Sequence, residues 1–146
     1  MEKTFIVRCR GIILDQGELL VVAHAGKEEY IVLPGGHLEW GEDIKVGLVR
    51  ELEEELGVTP VIGDLLYVHT YTQQNGAHAV EFFFAVENAT DFRTLGTDPT
   101  HAHELALVSW VTPDDVRTFR PHAVWADFQA GRLGDGQLRF IGEGVN

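Results

Sequence analysis

Asp43-Ile44-Lys45-Val46-Gly47-Leu48-Val49-Arg50-Glu51-Leu52-Glu53-Glu54-Glu55-Leu56-Gly57 is the stretch on which the fold turns. Ile44, Leu48, Leu52 and Leu56 recur every four residues with Val49 beside them, which lays one apolar stripe along an α-helix. Asp43 suits the N-cap and Gly57 the left-handed residue just past the last turn, so the spacing predicts a helix over 43–56. Glu51, Glu54 and Glu55 stand three and four residues apart and share another side of it. Like charges at those spacings repel, and the negative end of the helix dipole opposes them further. A hard divalent cation such as Mg²⁺, which takes oxygen ligands, would relieve both costs. The plainer reading of such a charge run is a solvated acidic face.

The flanking residues add weight to the metal reading. Pro34-Gly35-Gly36 lets one backbone pass close to another, and Glu39-Trp40-Gly41-Glu42 turns the chain back into the helix. An interior helical glycine costs about 1 kcal/mol relative to alanine. Clearance for the loop or for a metal site would explain Gly47.

Further out, Phe5 to Leu14 and Leu19 to His24 are strand-like runs joined by the turn Asp15-Gln16-Gly17. Tyr30 to Leu33 reads as a short strand, with a long loop after Pro34-Gly35-Gly36. Leu65 to Gln73, His78 to Glu87, Leu105 to Val111 and Gln137 to Ile141 are the remaining strands. Val80, Phe82, Phe84 and Val86 face one way and Ala79, Phe83 and Ala85 the other, the pattern of a strand covered on both faces. Pro113 is placed to open a second helix running to about Ala130. This order fits an α/β class chain, an α/β/α sandwich around a central mixed sheet, in one domain spanning 1–146.

Composition sets outer bounds. With 146 residues, 45% of them hydrophobic, the chain can bury a real core. Cys9 is the lone cysteine and cannot form an internal disulfide, and Met-Glu-Lys-Thr opens the chain without a long apolar run. A cytoplasmic protein without a membrane partner is the expectation. The formal net charge of −12 argues against a nucleic-acid partner, while a small phosphorylated substrate remains compatible if bound cations screen the site. Seven of the 23 acids, Glu39, Glu42, Asp43, Glu51, Glu53, Glu54 and Glu55, crowd into the segment around the predicted helix.

From Gly36 to Val58 the chain resembles the Nudix box at every defining position: Gly36, five residues, Glu42, seven residues, Arg50-Glu51-Leu52, one residue, Glu54-Glu55, one residue, Gly57-Val58. The strand order around it is similar to that of small bacterial Nudix hydrolases. The resemblance implies the Nudix fold and a pyrophosphohydrolase acting on phosphoanhydride bonds. It implies Glu51, Glu54 and Glu55 as ligands of Mg²⁺, with Mn²⁺ as a substitute and the Gly36 carbonyl as an additional ligand. Glu42 and Arg50 correspond to the family's structural ion pair. The implied reaction is attack of water on phosphorus in a nucleoside diphosphate linked to another group: a nucleoside triphosphate, a nucleotide sugar or a dinucleoside polyphosphate. A homodimer is common among relatives, and nothing in this sequence decides it.

The general base varies within the family, which leaves Glu51, Glu54 and Glu104 as the catalytic candidates. Glu81 interrupts a strand that is otherwise apolar on both faces, so a metal or an arginine is expected beside it. Arg8 and Arg10 share one face of the first strand and are candidates for substrate phosphates or for salt bridges with the abundant acids. His24 and His37 are candidates to line the cleft, and His101 with His103 for a metal pair against the plainer reading of a surface loop. Tyr30, Trp40, Tyr67 and Tyr71 are candidates for stacking on a base, against core packing. Two rival functions stay open: a catalytically silent nucleotide-binding sensor, which the intact acids argue against, and a protein-interaction module with an acidic face. The residues before Pro34 lack the signature expected for a coenzyme A substrate, and the negative charge disfavours capped RNA.

Overall fold

The computed structural model describes residues 3–95 and 102–142. The strands are β1 (Phe5–Ile12), β2 (Leu14–Asp15), β3 (Glu18–His24), β4 (Gly35–His37), β5 (Ile62–Thr72), β6 (His78–Val86), β7 (Leu105–Val111) and β8 (Arg139–Gly142). Two α-helices, α1 (Ile44–Leu56) and α2 (His122–Gln129), and two short 3₁₀ turns, Ala89–Arg93 and Ala102–Glu104, complete the secondary structure. A five-stranded sheet runs β4-β1-β6-β5-β8 and a three-stranded sheet runs β2-β3-β7. The larger sheet is mixed: β1 pairs with β6 and β5 with β8 in parallel, and the other neighbours are antiparallel.

Two apolar clusters hold these layers together. Leu48, Leu52 and Leu56 of α1 pack on Cys9, Ile13, Leu20, Val22, Phe84 and Val86. On the other side Val124 and Phe128 of α2 meet Leu19, Val21, Tyr67 and Phe83. Alternate residues of β6 thus serve opposite layers, as their alternation predicts, and the α/β architecture with a mixed central sheet holds. Tyr67 is core: it is buried and its hydroxyl donates to Asp127 Oδ2 at 2.6 Å, tying β5 to α2. Arg132 holds Asp127 from the other side.

Three expectations change in detail. The Phe5–Leu14 run divides between the two sheets, with β1 in one and β2 in the other. Tyr30 to Leu33 makes only isolated bridges, Val22 to Val32 and Ile31 to Phe119, and the strand lies one step later at Gly35–His37. Gly35 makes that strand feasible: its φ of 143° and its missing Cβ, which would stand 2.0 Å from the Cys9 carbonyl oxygen, let β4 press against β1. The second helix is much shorter than 113–130. Asp115 caps the Arg117 backbone N–H and pairs with its guanidinium in a local turn, and Arg120 precedes Pro121, a position that disfavours helical backbone.

Candidate active site

Helix α1 forms as its sequence dictates. Asp43 Oδ1 accepts from the Lys45 and Val46 backbone N–H groups, and Gly57, at φ 72°, donates its N–H to the Glu53 carbonyl. Gly47 serves the loop rather than the acids. A Cβ there would stand 2.7 Å from Leu38 Cδ1 and 2.8 Å from Glu42 Oε1.

Glu42 and Arg50 form a two-pronged pair, with Arg50 Nε–H donating to Glu42 Oε2 at 2.8 Å and Nη2–H to Oε1 at 3.0 Å. Arg50 also donates to the His37 carbonyl, and Glu42 accepts from the Glu39 backbone N–H, so one pair fastens the loop to the helix. These hydrogen bonds from Arg50 and the Glu39 N–H hold the Glu42 carboxyl at about 2. A depressed folded-state pKa stabilises the fold above the ordinary value of 4.5, and that contribution is lost as the pH falls toward about 2. Glu42→Gln is therefore expected to lower the urea midpoint at pH 7 and to converge with the wild type at strongly acid pH. A deficit equal at both pH values would show that the charge of Glu42 is not what holds the loop.

The three acids of α1 differ in environment. Glu51 is half-buried, and burial raises its carboxyl against the pull of Arg50. Glu54 is partly exposed and Glu55 is 6% exposed. Burial pushes Glu55 up to about 8, against the pull of Arg10 and with Glu51 and Glu104 adding to the rise. Its Oε2 atom is buried without a hydrogen-bond partner. Arg50 Nη1–H donates to both Glu51 Oε1 at 3.1 Å and Glu54 Oε2 at 3.3 Å. With a guanidinium drawn between them, no group of three or more His, Cys, Asp or Glu among the described residues converges closely enough to hold a metal ion as placed. The donor set still fits a hard divalent cation: all-oxygen, on one helix side, with a buried carboxylate oxygen unmatched.

Gly36 lies against Glu51, where a Cβ would stand 2.6 Å from Glu51 Oε2. Its carbonyl accepts the Cys9 thiol at 3.7 Å, and burial pushes that thiol up to about 11, so Cys9 is an inert core residue. Gly36→Ala must swing the Glu51 carboxylate aside. The obstacle is the end of a flexible chain, so the fold should survive while activity falls by roughly 10²-fold from the misplaced carboxylate. Thermal denaturation beside an activity assay checks this, and full activity in the variant would remove Glu51 from the chemistry.

The residues outside the helix fall into two groups. Glu81 and Arg10 are buried together: Arg10 Nε–H donates to Glu81 Oε2 at 2.7 Å and Nη1–H to the Leu33 carbonyl at 3.1 Å. His69, which no pattern in the sequence singles out, approaches Glu81 Oε1 through Nδ1 at 3.1 Å. Burial alone would raise the Glu81 carboxyl, yet Arg10 and His69 bring it down to about 2. The arginine expected beside Glu81 is thus present, and both partners lie beneath the surface.

The second group stays near solvent. Arg8 pairs in register with His37 on β4 and with Glu81 on β6. Burial and the neighbouring Arg10 lower its pKa, and its Nε atom is buried without a partner. His24 and His37 are both lowered by burial and by the fields of Arg8, Arg10 and Lys27. The Arg120 guanidinium covers one face of Tyr30 at 4.1 Å, and Tyr71 stacks on His69 at 4.7 Å. Trp40 is fully exposed at the loop tip. Glu104 ends the 3₁₀ turn before β7, where its charge reaches Glu55 and its carbonyl accepts the Ala25 N–H. His103 is exposed, and its proposed partner His101 lies outside the described residues.

Comparison with known proteins agrees with this fold. A sequence model of the NUDIX domain matches residues 5–131. The uncharacterized Nudix hydrolase YvcI of Bacillus subtilis is 26% identical over 114 residues, covering 78% of this chain and 71% of that protein. An ADP-ribose pyrophosphatase of Methanocaldococcus jannaschii is 29% identical over 80 residues, covering 53% of this chain and 47% of that protein. In structure, the MutT NUDIX hydrolase of Burkholderia pseudomallei superposes with a TM-score of 0.69 at 23% identity, over 87% of this chain and 98% of that one. The chain belongs to the Nudix family of hydrolases, enzymes of the pyrophosphohydrolase class. No helix among the described residues is long and apolar enough to cross a membrane.

Proposed function

We propose that this chain, acting as a single domain, hydrolyses a diphosphate linkage in a small nucleotide-like substrate with the help of Mg²⁺ held by Glu51, Glu54 and Glu55. The observation that carries this reading is the Glu55 carboxylate, buried with one oxygen unmatched beside two further acids of the same helix. A buried carboxyl group left unmatched costs folding energy, and a bound cation in place of its proton would return it. Mg²⁺ when bound supplies neutralisation of diphosphate oxygens and a lowered pKa for water.

The chain's own residues do the rest. Arg50 and Glu42 fix the loop so that Gly36 stays against Glu51. Glu51, Glu54 and Glu104 are the groups available to take a proton from the attacking water. The Gly36 carbonyl is an additional oxygen ligand in this reading, at the expense of its weak contact with the Cys9 thiol. A cytoplasmic setting without a nucleic-acid partner accords with the net charge of −12.

The test is a phosphate-release panel with and without Mg²⁺, covering nucleoside triphosphates, ADP-ribose, other nucleotide sugars and dinucleoside polyphosphates. Turnover of one class that vanishes on chelation and returns with Mg²⁺ or Mn²⁺ is the expected result. Retained nucleotide binding without turnover of any class would replace the hydrolase by a sensor.

A further inference from the structure

The five-stranded sheet is covered only in part on its α1 side. Helix α1 packs on β4 and β1, and Cys9, Phe84 and Val86 lie beneath its leucines. Strand alternation puts Phe5 and Val7 on the same side as Cys9, and Val80 and Phe82 on the same side as Phe84. Register carries that side across the sheet: Val68 stands opposite Phe82, and Phe140 opposite Val68. Burial falls away along this path. Val7, Val68, Val80 and Phe82 are half-buried, while Phe140 is 69% and Phe5 75% exposed. Threonines, a histidine and a glycine fill the remaining outward positions between them, with no Asp, Glu, Lys or Arg. In a chain of which 23% is charged, four strands share one apolar, uncharged and uncovered side. Lys45, whose ammonium stands 5.9 Å from the centre of the Phe84 ring, marks its border with α1.

We propose that this side of β1, β6, β5 and β8 is where two copies of the chain pack face to face about a two-fold axis. Charge selects the occupant. At a net charge of −12, two copies repel wherever acids face acids, and the repulsion is weakest on the side that carries none. The same lack of cations speaks against a nucleic acid or an anionic membrane. A two-fold contact needs a surface that complements itself, and uncharged apolar sheet faces do so by interdigitating about 10 Å apart. Phe5 and Phe140 help, because they stand three strands and two outward rows apart, so the rings of two copies need not collide. Four strands about 4.8 Å apart and three outward rows about 6.8 Å apart span on the order of 400 Å² per copy. With a rim the pair buries about 1,000 Å², the low end for a specific interface, so the dimer is weak, with Kd in the micromolar range. The flank of α1 that holds Glu51 against Gly36 faces β4 instead and stays open.

Sedimentation velocity over about 1 to 300 µM compares the wild type with Phe5→Asp, Phe140→Asp and Val116→Asp. Val116, 98% exposed in the loop after β7, is the control for an exposed apolar residue elsewhere. The mass of the wild type should rise with concentration from 16.3 kDa toward twice that value, and Val116→Asp should follow it. Each phenylalanine variant should dissociate at least about tenfold more readily, because a carboxylate would be desolvated inside the contact. Melting temperatures measured at the lowest concentration should agree across all four proteins, since both rings are exposed in the single chain. If Phe140→Asp melts lower, Phe140→Thr, which keeps strand propensity, takes its place and should weaken the pair in the same direction. A wild type that stays at 16.3 kDa throughout would overturn the proposal. A dimer untouched by either phenylalanine change would place the contact on another surface. Association weakened equally by Val116→Asp would mean unspecific clustering, which equally defeats it. None of these readings requires the chain to hydrolyse anything, so this proposal and the diphosphate-hydrolase reading fail separately.

Discussion

Glu54→Gln should lower kcat of the proposed Mg²⁺-dependent hydrolysis by about 10³-fold while the metal-free protein melts where the wild type does. The first half follows from the role of charge: a neutral amide is a poor ligand for a hard cation, and several kcal/mol of transition-state stabilisation correspond to a factor of that order. The second half follows from the helix. Glu54 stands three residues from Glu51 near the negative end of the α1 dipole, so its charge is opposed there. Against that, neutralising it weakens an i,i+4 contact with Arg50 that is partly exposed to solvent. These contributions have opposite signs and sizes of roughly 0.2–0.5 kcal/mol each, so they nearly cancel. Differential scanning calorimetry with chelator, beside single-turnover hydrolysis, reads both. A variant that loses activity only because it unfolds would take Glu54 out of the site, and a fully active variant would leave the acidic helix a solvated face.

Arg10→Met is the opposite kind of change, large in stability. It leaves Glu81, 4% exposed, as a buried carboxylate facing only His69. Removing one partner of a buried ion pair costs about 3–5 kcal/mol. For a chain of this length that corresponds to a melting temperature lower by roughly 10 °C. The double variant Arg10→Met/Glu81→Gln should regain most of the loss, because the penalty comes from the stranded charge and not from the missing guanidinium. If the double variant is as unstable as the single, the packing of the arginine stem and its bond to the Leu33 carbonyl carry the effect instead.

These two sites also differ in how far the sequence discloses them. Glu54 belongs to a constellation fixed by spacing within one helix, where 3.6 residues per turn converts sequence distance directly into spatial proximity. The cap at Asp43 and the stop at Gly57 are local for the same reason. Glu81 is half legible: a carboxylate in an apolar strand demands a partner, but the partner comes from β1, 71 residues away, through a parallel register that no local pattern specifies. His69 is invisible at that level because its strand reads equally well with the imidazole facing solvent. The overlong second helix has a related cause. Pro113 suits the first turn of a helix, while the local bond from Asp115 to the Arg117 N–H and the Arg120–Pro121 step decide the backbone after it. Glycine was informative in kind and ambiguous in purpose. Gly47 announced a close approach, and only the fold shows that Leu38 and Glu42 make it.

Arg50 has a bearing on which ions the helix would accept. By donating to Glu51 and Glu54 as well as to Glu42, it is the resident counterion of the acidic cluster, covalently attached and always present. An incoming ion therefore enters by exchange and not by filling an open seat. A monovalent ion such as Na⁺ or K⁺ would replace one positive charge by another and gain little, while giving up directed hydrogen bonds. A divalent ion gains a full charge in the trade, and the guanidinium displaced from Glu51 and Glu54 keeps its two-pronged hold on Glu42. Selectivity against the abundant monovalent ions of a cell would then reside in a tethered competitor, with no need for a cavity of finely fitted size.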